Sequence, residues 1–264
     1  MVQPWILTCP ASQGIGLQLT RRLLATTKLP VVATARSDLE GARHRMLQGL
    51  DVDEKRLEVL QVDVTDEKTI ADAAAHCESR FPSPSYLHLA LCIPGILHPE
   101  KSPSQISYKN ALDTFKINTL GPLLLAKYFS AFLPKRNTQM DPSILEGLPK
   151  KAIFAIMSAR VGSISDNQAG GWYSYRASKA AVNQLVKTLD IHLKNAIGEK
   201  AMAVGLHPGT VKTGLSKDFW KSTPKEKLFE PGFAAEKLID VLRGLDVDMG
   251  RGRCWDWKGT EIPP

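Results

Sequence analysis

The N-terminal run Trp5-Ile6-Leu7-Thr8-Cys9 leads directly into Pro10-Ala11-Ser12-Gln13-Gly14-Ile15-Gly16 and then an apolar row through Leu19 and Leu23. No other feature limits the fold as strongly. An apolar run without polar alternation reads as a short strand covered on both faces. Ile15, Leu19 and Leu23 recur at helical spacing, so a glycine turn joins that strand to a helix N-terminus. Such a junction turns backbone N–H groups and the positive end of a helix dipole toward an anion, and its missing side chains let a pyrophosphate approach. Gly14, Ile15 and Gly16 are therefore the expected phosphate-binding residues of a dinucleotide site.

The same strand-then-helix pattern repeats along the chain. Strands are predicted near 5–9, 31–34, 57–62, 87–92, 152–157, 201–206 and 252–256, with helices near 15–26, 38–49, 67–80, 106–132, 174–197 and 232–243. Val31-Val32-Ala33 and Ile153-Phe154-Ala155-Ile156 lack polar alternation. This argues for an α/β fold with a doubly wound parallel sheet, helices on both faces and right-handed crossovers. One domain spans 1–264, with a dinucleotide-binding half at about 1–150 and a catalytic and substrate half at about 151–264. The polar, proline-bearing stretch Pro134 to Pro149 reads as a loop insertion. The aromatic tail Trp255-Asp256-Trp257-Lys258-Gly259 is expected to pack on the last strand.

At 264 residues and 43% apolar content the chain can bury a sizeable core. No run approaches a membrane span and no signal-peptide pattern opens the chain, so the reading is a cytoplasmic protein with no membrane partner. Cys9, Cys77, Cys92 and Cys254 are scattered, and neither they nor the six histidines form a ligand pattern, so no metal site is expected. The net charge of +7 is spread along the sequence, which suits an anionic cofactor better than nucleic acid.

Tyr175 and Lys179, in Ser174-Tyr175-Arg176-Ala177-Ser178-Lys179, stand one helical turn apart on one face. An ammonium beside a phenol favours the phenolate, so Lys179 is expected to lower the Tyr175 pKa toward the range of a general acid or base. After the second strand comes Arg36, where an NAD-binding fold would carry an acidic residue for the adenosine ribose. Its charged fork suits a 2′-phosphate and points to NADP (NADPH) rather than NAD.

Together these motifs resemble the short-chain dehydrogenase/reductase family over essentially the whole chain. The stretches Ser158-Ala159-Arg160-Val161-Gly162-Ser163-Ile164 and Gly170-Gly171-Trp172-Tyr173-Ser174-Tyr175 are most similar to its C-factor and sniffer branch of carbonyl-reductase-like members. The resemblance implies a Rossmann-like single domain. It places Asp63 beside the adenine ring, Asn118 as the helix asparagine, and His207-Pro208-Gly209-Thr210-Val211-Lys212-Thr213 as the loop over nicotinamide. Pro208, Gly209, Val211 and Thr213 are then cofactor contacts. Lys179 would hold the nicotinamide ribose, and Asn118 would support a water relaying protons to Lys179.

The chain departs from the family pattern at three places. Pro10 replaces the first glycine of the phosphate loop and removes one N–H donor. Cys92-Ile93-Pro94-Gly95 replaces Asn-Asn-Ala-Gly. Ala159 stands where the family serine polarises the substrate carbonyl. Ser158 is the preferred replacement, provided a bulge or turn re-aims it; Ser163, or no hydroxyl at all, are the alternatives. The expected activity is NADP-dependent reduction of an aldehyde or ketone, or oxidation of the alcohol. Tyr175 would act as general acid or base, assisted by Lys179, Asn118 and Ser158. The alternative is a redox-inactive dinucleotide-binding signalling or regulatory protein. Partners are a small-molecule carbonyl or alcohol, with a homodimer and a homotetramer both open.

Overall fold

A computed structural model describes residues 3–264. Its strands and helices, in chain order, are β1 (Pro4–Cys9), α1 (Gly14–Thr26), β2 (Val31–Ala35), α2 (Leu39–Leu47), β3 (Leu57–Gln61), α3 (Glu67–Arg80), β4 (Tyr86–Cys92), α4 (Tyr108–Phe115) and α5 (Gly121–Phe129). There follow β5 (Ala152–Met157), α6 (Tyr173–Ile197), β6 (Ala201–His207), β7 (Thr210–Val211), β8 (Leu228–Phe229), α7 (Pro231–Gly244), β9 (Cys254–Asp256) and β10 (Glu261–Ile262). The main sheet has the order β10-β9-β6-β5-β4-β1-β2-β3. Every neighbouring pair from β3 across to β9 is parallel, and only β10 runs antiparallel, on β9. The chain winds outward through β1, β2 and β3, then returns to the other side of β1 at β4. That reversal opens a crevice at the carboxyl ends of β1 and β4.

Strand alternation sorts the core into two layers. Trp5, Leu7, Phe154 and Ile156 face Ile70, Phe129, Val182 and Val186 of α3, α5 and α6. Ile6, Val31, Ala33, Ile153 and Ala155 face Leu19, Leu23, Leu238 and Leu242 of α1 and α7. Trp5 stacks on Phe81 at 4.7 Å between ring centroids, anchoring the first layer at the amino end of β1.

The structure differs from the sequence expectation in three places. The helix predicted at 106–132 is divided into α4, a π-turn over Lys116–Leu120, α5 and a short 3₁₀ turn. Pro122 has no N–H to return to the Asn118 carbonyl four residues earlier, so an α ladder cannot run through unbroken. Part of the aromatic tail is itself strand: Trp255 and Asp256 belong to β9, with Trp255 paired to Glu261 of the last strand, β10. Trp257 instead packs on Phe229 at 4.5 Å and on Phe233 at 5.8 Å. The two-residue strands β7, β8 and β10 are too short for any periodicity to reveal. No described helix is long and apolar enough to cross a membrane. The four cysteines are free and buried.

His88, in the middle of β4, is fully buried, with Nε2 2.8 Å from the Pro149 carbonyl of the 134–149 loop. Burial pushes its pKa down to about 4, against about 6.5 for an unfolded chain. Below pH 6.5 the unfolded state therefore takes up a proton that the native state refuses. Stability should fall as pH drops from about 6.5 toward 4, by up to about 1.4 kcal/mol per pH unit from this group. In urea unfolding between pH 7.5 and 5, His88→Asn should flatten that dependence by about one proton. An unchanged slope would show that His88 does not carry it.

Candidate active site

The crevice between β1 and β4 opens into a cleft of about 1270 Å³, above the roughly 300–1,000 Å³ of an ordinary ligand pocket. Its floor is the glycine turn. Gly14 has φ +57°, and a Cβ there would meet the Thr213 methyl at 3.3 Å. A Cβ at Gly16 would lie 2.1 Å from the Pro10 carbonyl oxygen and 2.9 Å from Ile93 Cδ1, so only glycine fits. The N-terminus of α1 thus faces the cleft without side chains in the way, across from Thr213. This cradle fits a pyrophosphate, and the volume leaves room for a second small molecule beside a dinucleotide.

Ten residues expected from the sequence line this cleft: Gly14, Ile15, Gly16, Ser158, Tyr175, Lys179, Pro208, Gly209, Val211 and Thr213. Arg36 and Asp63 lie outside its lining, past the ends of β2 and β3. Asp63 accepts from the N–H and hydroxyl of Thr65 at 2.9 and 2.7 Å. Burial acts to raise its pKa, but the Thr65 hydrogen bonds and the nearby Arg36 guanidinium outweigh it and hold the carboxyl below its usual range. Arg36 itself is exposed.

Tyr175 and Lys179 face the cleft from the first turns of α6, and both are buried. Lys179 Nζ donates to the Met157 carbonyl at the end of β5 at 2.8 Å and lies 5.8 Å from the Tyr175 ring centroid. Burial lowers the ammonium pKa to about 8. The expected depression of the Tyr175 pKa is not found: burial pushes the phenol up to about 12. Desolvation penalises the phenolate, and it dominates because the ammonium is offset from the ring and turned toward Met157. At neutral pH this tyrosine keeps its proton.

The re-aiming of Ser158 is also not found. Its N–H continues the sheet ladder to the Leu206 carbonyl at 2.8 Å, with no bulge. Its hydroxyl turns to α6, donating to Asn183 Oδ1 at 2.5 Å with the Lys179 carbonyl 3.4 Å away. Strand alternation decides this, since Ser158 and Ala159 point to opposite faces. Ala159 lines the cleft with a methyl group. Ser163 is buried outside the lining, where its oxygen accepts from the Asp166 N–H at 3.0 Å.

Asn118 is fully buried in the π-turn and is used at both ends of its amide. Oδ1 accepts from the Ile96 N–H at 2.8 Å, while Nδ2 donates to the Ile96 carbonyl at 2.9 Å and to Ser178 Oγ at 3.1 Å. The asparagine thereby ties the segment after β4 to the residue preceding Lys179.

Sequence reasoning passed over several residues of the cleft wall. Trp172, at φ +50°, follows Gly170 and Gly171, which are also left-handed. For a non-glycine residue that conformation costs about 1–2 kcal/mol. Its indole lies edge-on to the Tyr175 ring at 6.1 Å and tilts against Phe219 at 5.0 Å. Arg176 Nε donates to the Gly170 and Gly171 carbonyls at 3.1 and 3.0 Å, bracing that turn. Arg160 reaches Asp256 at 3.0 Å and Asp166 at 3.4 Å. His207 sits at the end of β6 with Nδ1 buried and unpartnered; burial first, then the Arg160 charge, lowers its pKa to about 4. For the Trp172 turn the pair Gly170-Gly171 is the available sequence signal, since a double glycine before a helix allows a left-handed turn.

The chain resembles known proteins throughout. It is 33% identical over 158 residues to the C-signal protein of Myxococcus xanthus, covering 60% of this chain and 81% of that one. It is 32% identical over 202 residues to 1-hydroxy-2-glutathionyl-2-methyl-3-butene dehydrogenase of Rhodococcus, covering 75% and 76%. Among solved structures, the NADPH-bound carbonyl reductase from chicken fatty liver superposes with a TM-score of 0.81 at 28% identity, covering all of both chains. The family model described as Enoyl-(Acyl carrier protein) reductase matches residues 11–238. With the parallel sheet, the glycine cradle and the Tyr175–Lys179 pair already in place, this match makes the chain a member of the short-chain dehydrogenase/reductase family of oxidoreductases.

Proposed function

We propose that the protein is an NADP(H)-dependent reductase of aldehyde or ketone carbonyls. The observation that carries this reading is Tyr175, buried and kept protonated at the wall of a cleft whose floor is a side-chain-free phosphate cradle. When bound, the nicotinamide supplies the hydride. Tyr175 donates its proton to the carbonyl oxygen as negative charge develops there. A phenol pushed up to about 12 serves reduction better than oxidation, which needs the phenolate. Lys179, a cation below about pH 8, faces the cleft beside it and would hold the nicotinamide ribose. Arg36 would take the 2′-phosphate, with Asp63 beside the adenine. The chicken carbonyl reductase supports the cofactor and the direction, and the Rhodococcus dehydrogenase supports alcohol–carbonyl chemistry.

Ala159 favours a second reading, a dinucleotide-dependent binding protein without turnover. A methyl group stands where a donor to the developing oxyanion belongs, and the neighbouring Ser158 hydroxyl is engaged by Asn183. Mixing the protein with NADPH and a panel of carbonyls, and following nicotinamide absorbance, separates the two readings.

Tyr175→Phe should lower turnover by roughly 10²–10⁴, the usual contribution of a positioned general acid, with NADPH affinity largely kept. Most of the turnover surviving in that variant would remove Tyr175 from the reaction.

Cofactor choice is expected to rest on Arg36. Arg36→Ala should weaken NADPH binding about tenfold or more, the value of a charge-assisted phosphate pair, and leave NADH binding alone. Equal affinity of the unmodified protein for both cofactors would end that argument.

The serine question has its own test. Ser158→Ala should leave kcat within a few-fold and cost about 1–3 kcal/mol of stability, because Asn183 Oδ1 loses a buried donor. Ala159→Ser should raise kcat, up to the roughly 10²–10³ that one oxyanion donor contributes. A large kcat loss in Ser158→Ala with its stability intact would return the role to Ser158.

A further inference from the structure

The first turn of α6, which carries Tyr175, has no capping side chain of its own: Trp172 occupies the cap position and offers no acceptor. The acceptors come from Glu100, 74 residues earlier in the chain. Glu100 is 2% exposed, and its two oxygens take the Ser174 N–H at 2.7 Å and the Ser174 hydroxyl at 2.6 Å. Its carbonyl takes the Trp172 N–H at 2.6 Å, and a Cβ at Gly171 would stand 3.3 Å from that same oxygen. A buried carboxylate is expensive unless strongly hydrogen-bonded, and here the helix N-terminus meets the cost with the Ser174 N–H, the Ser174 hydroxyl and the positive end of its dipole.

Glu100 also closes a ring around the site. The strap from Ile96 to Glu100 is pinned at Ile96 by both ends of the Asn118 amide. Between the pins, Leu97 and His98 line the cleft. From Glu100 the ring passes through Ser174 to Tyr175, whose carbonyl accepts from Ser178 Oγ at 2.8 Å. Ser178 Oγ then accepts from Asn118 Nδ2 at 3.1 Å, one residue before Lys179. Asn118, Tyr175 and Lys179 are thus indexed to one another through the strap, and Glu100 is the charged link in it.

We propose that Glu100 is a positioning residue for Tyr175: it fixes the left-handed turn at Trp172 and the first turn of α6, and so sets where the phenol stands over the cleft. This rests on the reading of Tyr175 as the proton donor. A phenol misplaced by about 1 Å can lose about 10² in rate with no change in cofactor affinity.

The test uses the full chain with Glu100→Ala, Glu100→Gln, Glu100→Asp, Ser174→Ala and the double variant Glu100→Ala/Ser174→Ala. Each is read by kcat, KM, NADPH binding and the ¹³Cζ resonance of labelled tyrosine, assigned with Tyr175→Phe. We expect kcat to fall about 30–100-fold in Glu100→Ala, less in Glu100→Gln and Ser174→Ala, and least in Glu100→Asp, which keeps the charge. The double variant should be no worse than Glu100→Ala. NADPH affinity should stay within about threefold. The Tyr175 resonance should move while those of Tyr86, Tyr108 and Tyr128 stay.

The proposal is overturned if kcat and the Tyr175 resonance are unmoved in Glu100→Gln and Ser174→Ala. It is equally overturned if kcat falls only in step with NADPH affinity and thermal stability, the mark of a merely structural link. Should Glu100→Ala fail to fold, the Gln and Ser174 variants decide. If the unmodified protein reduces no carbonyl, the reductase reading fails, and the Tyr175 resonance still decides the role of Glu100.

Discussion

The close approach of α6 to the carboxyl end of β5 is the constraint on which the rest of the site depends. A Cβ at Gly162, just past β5, would lie 2.7 Å from the Lys179 carbonyl carbon and 2.8 Å from its Cβ, so the two segments meet backbone to backbone. That contact buries Lys179, directs its Nζ to Met157 and lowers its pKa. It also puts the Ser158 hydroxyl within reach of Asn183 rather than the cleft. The missing side chain at Gly162 is what permits this approach.

Burial then decides the protonation states. Lys179 and Tyr175 occupy the same dry face of α6, and desolvation moves them in opposite senses, one toward a neutral amine and the other toward a neutral phenol. Where a charged partner is turned away, desolvation exceeds the Coulombic help it could give. The resulting site holds a proton on Tyr175 and leaves Lys179 titrating at about 8. Glu100 belongs to the same economy of charge: it stays buried because the N-terminus of α6 needs acceptors that its own sequence does not provide.

Much of the fold was legible because its signals are local. β1, α1, β3, α3 and β5 fall within a residue of their predicted limits, since apolar runs and helical rows report burial on two faces or one. The divided helix around Asn118 was not legible: a proline inside an otherwise helical pattern marks a disturbance but not its form. In the site, the glycine cradle and the Tyr175–Lys179 spacing were readable from the residues themselves. Glu100 and Asn183 gave no signal, because a capping carboxylate 74 residues away and a helix asparagine behind a strand serine have no spacing to recognise.

The sequence by itself determined the parallel α/β class, the side-chain-free glycine turn and the helix face that carries the phenol and the ammonium, since each follows from periodicity or from what only glycine permits. The tertiary structure alone decided which way Ser158 points, whether burial or the nearby ammonium sets the Tyr175 pKa, and which distant carboxylate caps its helix. Those outcomes depend on strand register, on exclusion of water and on contacts between segments far apart in the chain, none of which the order of residues states.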